Sequence, residues 1–411
     1  MTQRLREATH AAHLRLESVP FLGAVQRGAV DDRDYLAYLH ALSIVHGVLE
    51  TLASRCTEPF VSGVWRESMR KLPLLERDIE EVERGDPGCA SAPVGHALAF
   101  AKELRTWSLT EPARLVGALY VLEGATNGGR VLAPSVREAL RLDGDDGVRY
   151  LTAYGDAQPE AWRAFQARLD EAPSVQQAYP GVLLGAEHTY AAVSIIAESV
   201  GDGPRLVHAT ALNPEAGSHR VPQDPVELDA VRRAAKACLE ELPYVLERYG
   251  ERGRRFTLSD GAWLATLPGF PASVVYRQVD WLARLLSALG VPRVILERHL
   301  RETQAVFAEV FPERGAEFDV LTAAADRLAV VARGALPEER RQEALQVLRS
   351  AANVPGHFED VWLSMLADEI TDAAGALDAT LSWLDAEEPW GEGVAQACRR
   401  SGAVVLGRRV P

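Results

Sequence analysis

Apolar residues recur every three to four positions along most of this chain, and two-residue alternation is nearly absent. That period marks amphipathic helix rather than strand, so the expected fold class is all-α. In the first half, residues 33–53 are periodic. So is the stretch holding Trp65, Met69, Leu72 and Leu75, which Pro73 should kink or split. Helices are also predicted over 94–106, 159–171 and 181–200, and Pro112 lies near the start of a long apolar helix, where its missing N–H is harmless. The second half reads as helices over 226–249, 258–266, 271–289, 292–310, 316–334, 337–352 and 357–385, followed by a tail with no clear partner.

At 411 residues the chain exceeds what one core ordinarily supports, so two domains are expected. The stretch 211–225 carries Pro214, Pro222 and Pro225 and little apolar content, and reads as a linker between domains at 1–210 and 226–411. For the second domain the best-defined register is Trp281 to Pro292, an amphipathic helix with a glycine stop. It leaves open a globin- or phycobiliprotein-like fold and an unrelated helical bundle.

Two segments carry candidate chemistry. Gly124, Gly128 and Gly129 interrupt an otherwise helical run, at a cost of about 1 kcal/mol each relative to alanine. Gly124 and Gly128 share a face one turn apart. Such a bare, bendable face suits a bulky flat ligand, and it equally suits a tight helix crossing. Near the N-terminus, Leu5, Ala8, Ala12 and Leu16 gather on one helix face, with Arg6, His10, His13 and Glu17 beside it. A neutral imidazole at His13 can ligate a haem iron, and Arg6 suits carboxylates; a lone helical histidine is also commonly an ordinary surface residue. His188 with Glu187 makes a weak metal pair, because adjacent helical residues diverge. His299, among charged neighbours, reads as a surface residue.

Taken together, the segments Ala8-Thr9 to His13 and Glu17, and Leu122-Glu123-Gly124 through Thr126 to Gly128-Gly129-Arg130, resemble the haem oxygenase family in its bacterial, bacteriophytochrome-associated form. Phe21-Leu22, Tyr35-Leu36, Tyr154-Gly155, Trp162 and Phe165 fit the same family, and the resemblance spans residues 1–200. It implies His13 as the axial metal ligand, and Arg6, His10, Glu17, Gly124, Gly128 and Gly129 as further haem-binding residues. It also implies a catalytic distal face of Gly124, Thr126, Asn127 and Gly128. Haem would be both cofactor and substrate, opened with dioxygen and an external reductant to biliverdin, carbon monoxide and ferrous iron. A ferredoxin or flavoprotein reductase would supply electrons, and a bilin acceptor such as a phytochrome would take the product. A non-catalytic haem carrier or sensor is the alternative. Ala125 is a departure, since many members place an acid near these glycines to organise water; that role would pass to Thr126, Asn127 or another segment.

Charge and cysteines narrow the rest. A net charge of −14 with no basic block argues against nucleic acid and anionic membrane partners. The four cysteines have no metal-ligand spacing, and neither a signal region nor a membrane span is evident. A cytoplasmic protein is the simplest expectation. No dinucleotide or phosphate-loop fingerprint is present, so the reductant must be external.

Overall fold

The structure, a computed structural model, describes residues 1–371, 376–407 and 410. The chain folds into two compact units, Met1–His219 and Arg220–Pro411. Among the described residues both are helical, and the strands are a two-residue antiparallel pair, β1 (Cys89–Ala90) with β2 (Arg205–Leu206).

Unit 1 comprises α1 (Thr2–Glu17), α2 (Pro20–Gln26), α3 (Asp32–Arg55), α4 (Pro59–Ser62), α5 (Leu72–Glu83), α6 (Ser91–Thr110), α7 (Ala113–Leu140), α8 (Gln158–Glu171), α9 (Pro173–Gln177), α10 (Tyr179–Glu198) and α11 (Ala209–Leu212). Pro73 ends up in the first turn of α5, where a missing N–H costs nothing, so it starts that helix. Asp31 caps α3 by accepting from Asp34 N. The α3 helix is long and apolar enough to cross a membrane, but most of it is buried in the unit, as in a core helix. It packs against α5 and α6, while α10 packs against α1, α6 and α7.

The contact between α7 and α10 is main chain against main chain. A Cβ at Gly117 would lie 2.1 Å from Val182 O, and one at Gly185 would lie 2.2 Å from Arg114 O. The tight crossing that small residues permit is therefore made at Gly117 and Gly185. α7 continues without a break through Gly124, Gly128, Gly129 and Pro134, so the expected bendable face lies on one continuous helix.

The stretch 211–225 is not a free tether at its start. Leu212, Asn213 and Ala216 are buried, and Pro214 packs beside Gly47 of α3. Proline fixes an extended backbone that can lie along a helix as readily as it can span solvent.

Unit 2 comprises α12 (Pro225–Glu241), α13 (Tyr244–Leu264), α14 (Ala272–Ala288), α15 (Arg293–Val310), α16 (Gly315–Ala335), α17 (Glu338–Ala351), α18 (Gly356–Thr371), α19 (Ala376–Glu387) and α20 (Val394–Leu406). The predicted helix over 226–249 is broken by Leu242 and Pro243, and Gly250 breaks α13 again with φ +54°. The predicted helix over 357–385 is represented by α18 and α19; residues 372–375 lie outside the described residues. The tail has a partner: Arg340 Nη1 donates to Val405 O at 2.7 Å, and Ser401 Oγ to Ala344 O at 2.8 Å.

His299 is buried, not on the surface, with Nε2 against the Cα side of Gly261. Burial lowers its pKa from 6.5 to about 4. Between those values the unfolded chain binds a proton that the folded one does not, so unit 2 should lose stability as pH falls from 6.5 to 4. Thermal unfolding across that window should show the slope, and His299→Leu should flatten it. An equal slope in the variant would assign the effect to other groups.

Candidate functional site

α1 and α7 both rest on α10, which places the His13 helix and the glycine-rich helix on one support. The buried face of α1 is Thr2, Leu5 and Thr9, with Ala12 and Leu16 partly buried. Ala8, expected on that face, is exposed instead. This phase leaves Arg6, His10, His13 and Glu17 on the exposed side of the helix.

His13 is 49% exposed, its Nδ1 3.7 Å from Glu17 Oε1, and its ring stands edge-on to Tyr190 with centroids 5.9 Å apart. Tyr190 is buried and limits how the imidazole can turn. Glu17 lies on the Nδ1 side but beyond hydrogen-bond distance, which leaves Nε2 as the nitrogen open to a metal. Arg6 and His10 line a groove of 710 Å³ together with Gln3, Glu7, Gln166 and Asp170. That volume falls in the range of small-molecule sites. His13 and the glycines do not line this groove.

The three glycines differ in their surroundings. A Cβ at Gly128 would meet nothing within 4 Å, so this position is open. One at Gly124 would meet Trp162 Cη2 at 3.4 Å. The Trp162 indole stacks on Phe165, centroids 5.6 Å apart, and tilts against Tyr120. Gly129 is buried, and a Cβ there would come within 2.8 Å of Leu151 O, a close backbone approach that suits packing.

Thr126 and Asn127 are committed to the protein. Thr126 Oγ1 donates to Glu123 O at 2.6 Å and accepts from Gln158 Nε2 at 2.6 Å. Asn127 Nδ2 donates to Gly124 O at 3.0 Å, and its Oδ1 accepts from the same Gln158 nitrogen at 3.3 Å. Gln158 thus clamps the start of α8 to the glycine-rich turn.

A Leu at position 124 must displace Trp162, whereas Ala at 128 has free space. Gly128→Ala should therefore stabilise the ligand-free protein by up to about 1 kcal/mol. Gly124→Leu should gain less, because the indole has to repack. Both should weaken haem uptake, Gly124→Leu more. Thermal melts and absorbance titrations with haem check this; unchanged haem affinity in both variants would make the bare face a packing feature.

Sequence reasoning passed over Gln158, Glu50 and Lys71, and took Glu123 only as part of the glycine motif. Among the described residues no group of three or more His, Cys, Asp or Glu is arranged to hold a metal, and His188 instead lies 3.8 Å from Glu103. Cys89, Cys238 and Cys398 are buried free thiols.

Comparison with known proteins gives consistent matches for the first unit. The family model described as Heme oxygenase matches residues 1–196. A heme oxygenase of Takifugu rubripes is 21% identical over 224 residues, covering 54% of this chain and 80% of that protein. A heme oxygenase of Xanthomonas campestris is 27% identical over 168 residues, covering 41% of this chain and 91% of that protein. The crystal structure of heme oxygenase-1 from the cyanobacterium Synechocystis in complex with heme has a TM-score of 0.44 at 21% identity, covering 49% of this chain and 91% of that one.

Proposed function

We propose, with residues 1–196 placed in the heme oxygenase family as the premise, that unit 1 opens haem to biliverdin, carbon monoxide and ferrous iron. The observation that carries the reading is His13: an exposed imidazole whose Nδ1 faces Glu17, on a helix that shares its support with the glycine-rich helix. Bound haem supplies the iron at which dioxygen is activated. The residues present fit such a group, since Nε2 of His13 is available, Gly128 is bare and Arg6 of the same helix as His13 lines a groove.

In this reading His13 holds the iron and Glu17 holds the imidazole in one tautomer. Arg6 and His10 pair with the propionate carboxylates, Arg6 by its planar fork of donors. Gly128 and Gly124 let a flat ring approach the α7 backbone. Thr126 and Asn127, tied to Gln158, keep that backbone in place. Trp162 forms the wall over Gly124 and excludes water there.

Electrons come from a ferredoxin or flavoprotein reductase, unit 2 handles the bilin or recruits an acceptor such as a phytochrome, and the protein works in the cytoplasm. A single-turnover experiment on the full chain with haem, reductant and oxygen tests the activity. Loss of the Soret band with appearance of biliverdin is expected. A stable Soret band through repeated reduction and oxygenation would favour a haem carrier or sensor, the reading that Ala125 supports.

A further inference from the structure

Helix α14 of unit 2 is apolar on two sides. Val275, Val279, Leu282 and Ala283 are buried in the unit. On the outer side Trp281, Leu285 and, at the C-terminal cap, Leu289 are 52%, 44% and 59% exposed, spaced four residues apart. Apolar side chains exposed singly are ordinary on a protein surface, whereas three on one ridge are not. A row at i, i+4 and i+8 is the ridge that a second helix takes into its groove. The Trp281 indole stands edge-on to Trp263 of α13, centroids 6.3 Å apart. On α16, Arg327 pairs with Asp280 at 3.6 Å and lies over the Tyr276 ring. One turn further along α16, Val330 and Val331 are exposed as well.

The charge on this face is of one sign. The exposed residues of α14 include Arg277 and Arg284 and no acid. Among the described residues neither arginine has an acidic partner, whereas Arg298, Arg301 and Arg327 on α15 and α16 are each paired. Seven residues apart, Arg277 and Arg284 lie along one edge of the ridge, about 10 Å from each other along the axis. The chain carries 58 acids against 44 lysines and arginines, so an acid-free face with two unpaired cations is complementary to carboxylates from outside.

We propose that this face of α14 docks an amphipathic helix of a partner protein, one whose apolar row is flanked along one edge by Asp or Glu two turns apart. The proposal gives a partner chemistry to the recruiting role of unit 2 and stands apart from haem opening by unit 1. Small ligands take concave sites, and a ridge is the opposite shape. An anionic lipid surface needs a larger basic cluster than two arginines on a chain of net charge −14. A second copy of the face would set cations against cations.

The test uses the full chain without haem and two synthetic helical peptides sharing one leucine row, with either Glu or Lys along the flanking edge. Fluorescence anisotropy should show the Glu peptide binding at least about 10-fold more tightly, with the difference shrinking as salt is raised. Arg277→Glu with Arg284→Glu should reverse the preference. Trp281→Ala and Leu285→Gln should each weaken the Glu peptide by about 10-fold. Leu285→Gln, which leaves the contact between Trp263 and Trp281 in place, should also melt like the wild type. No binding of the Glu peptide, equal affinity for both peptides, or an unreversed preference in the double arginine variant would overturn the proposal. So would self-association of the chain, or binding to phosphatidylglycerol vesicles, that is lost in Leu285→Gln, because either gives the face another occupant. Haem turnover should be unchanged in every variant, so the docking face and the haem reading fail in separate measurements.

Discussion

His13→Ala should abolish axial ligation of haem while leaving the ligand-free fold unchanged. Nothing in the core depends on this side chain: it is 49% exposed, and its protein contacts are Glu17 and the edge of Tyr190. The stability change should therefore stay within about 0.5 kcal/mol, as for surface positions generally. The effect on the metal is of another size. Losing an outer partner of a metal-bound imidazole typically costs roughly 10–100-fold in affinity, and losing the imidazole itself should exceed that. Glu17→Gln, which keeps the ligand and removes only the carboxylate, should fall inside the smaller range. Absorbance spectra of the ferric protein, affinity titrations and rescue by added imidazole measure all three. A His13→Ala protein with an unchanged spectrum and turnover, without imidazole, would place the iron ligand elsewhere.

Gly185→Ala should be among the most damaging single-methyl changes in unit 1. The added carbon would sit 2.2 Å from Arg114 O and 2.7 Å from Arg114 Cα, atoms of a helix backbone that cannot rotate out of the way. Only separation of α7 from α10 relieves the overlap, and that uncovers Leu119, Val182 and Ala186. A cost of at least about 3 kcal/mol is expected, at the upper end for overpacked cores. For a unit of this size it corresponds to a fall of roughly 10 °C in Tm. Gly117→Ala should behave alike. The pair together should cost less than the sum, because one displacement relieves both contacts. Circular dichroism melts of the single and double variants decide it; full additivity would mean that the two glycines sit in independent contacts.

Much of the helical pattern was legible because its cause is local. α3, α6, α8, α10, α14 and α15 follow apolar spacing that needs no tertiary information. The failures have separate causes. Pro243 is a breaker visible in the sequence, and the apolar period on both sides of it disguised the break between α12 and α13. His299 was judged by its charged neighbours, although its helical phase places it with Ile295, Leu296, Leu300 and Thr303 on the buried face of α15. Lys71, Glu123 and Glu50 were out of reach. A charged residue in an amphipathic pattern usually reads as solvated, and only a partner brought 52 residues along the chain makes burial of Lys71 affordable. The glycines show the opposite limit. Spacing singled out Gly124 and Gly128, but only the neighbouring backbone separates an open position from the packed Gly129.

The unbroken course of α7 has a mechanical consequence. The helix is a beam with two fixed bearings: Gly117 seated on the α10 backbone, and Gly129 seated on the backbone at Leu151. Neither bearing contains a side chain that can yield. Between them lies a span of just over three turns bearing Gly124 and Gly128. A rigid load pressed on that span cannot bow it without unseating one end. Accommodation therefore falls to what rests on the span from outside, the Trp162 indole and the Gln158 amide, which swing on single bonds. A ligand that enters here should find a floor already at its final shape, and should meet its resistance from the ceiling.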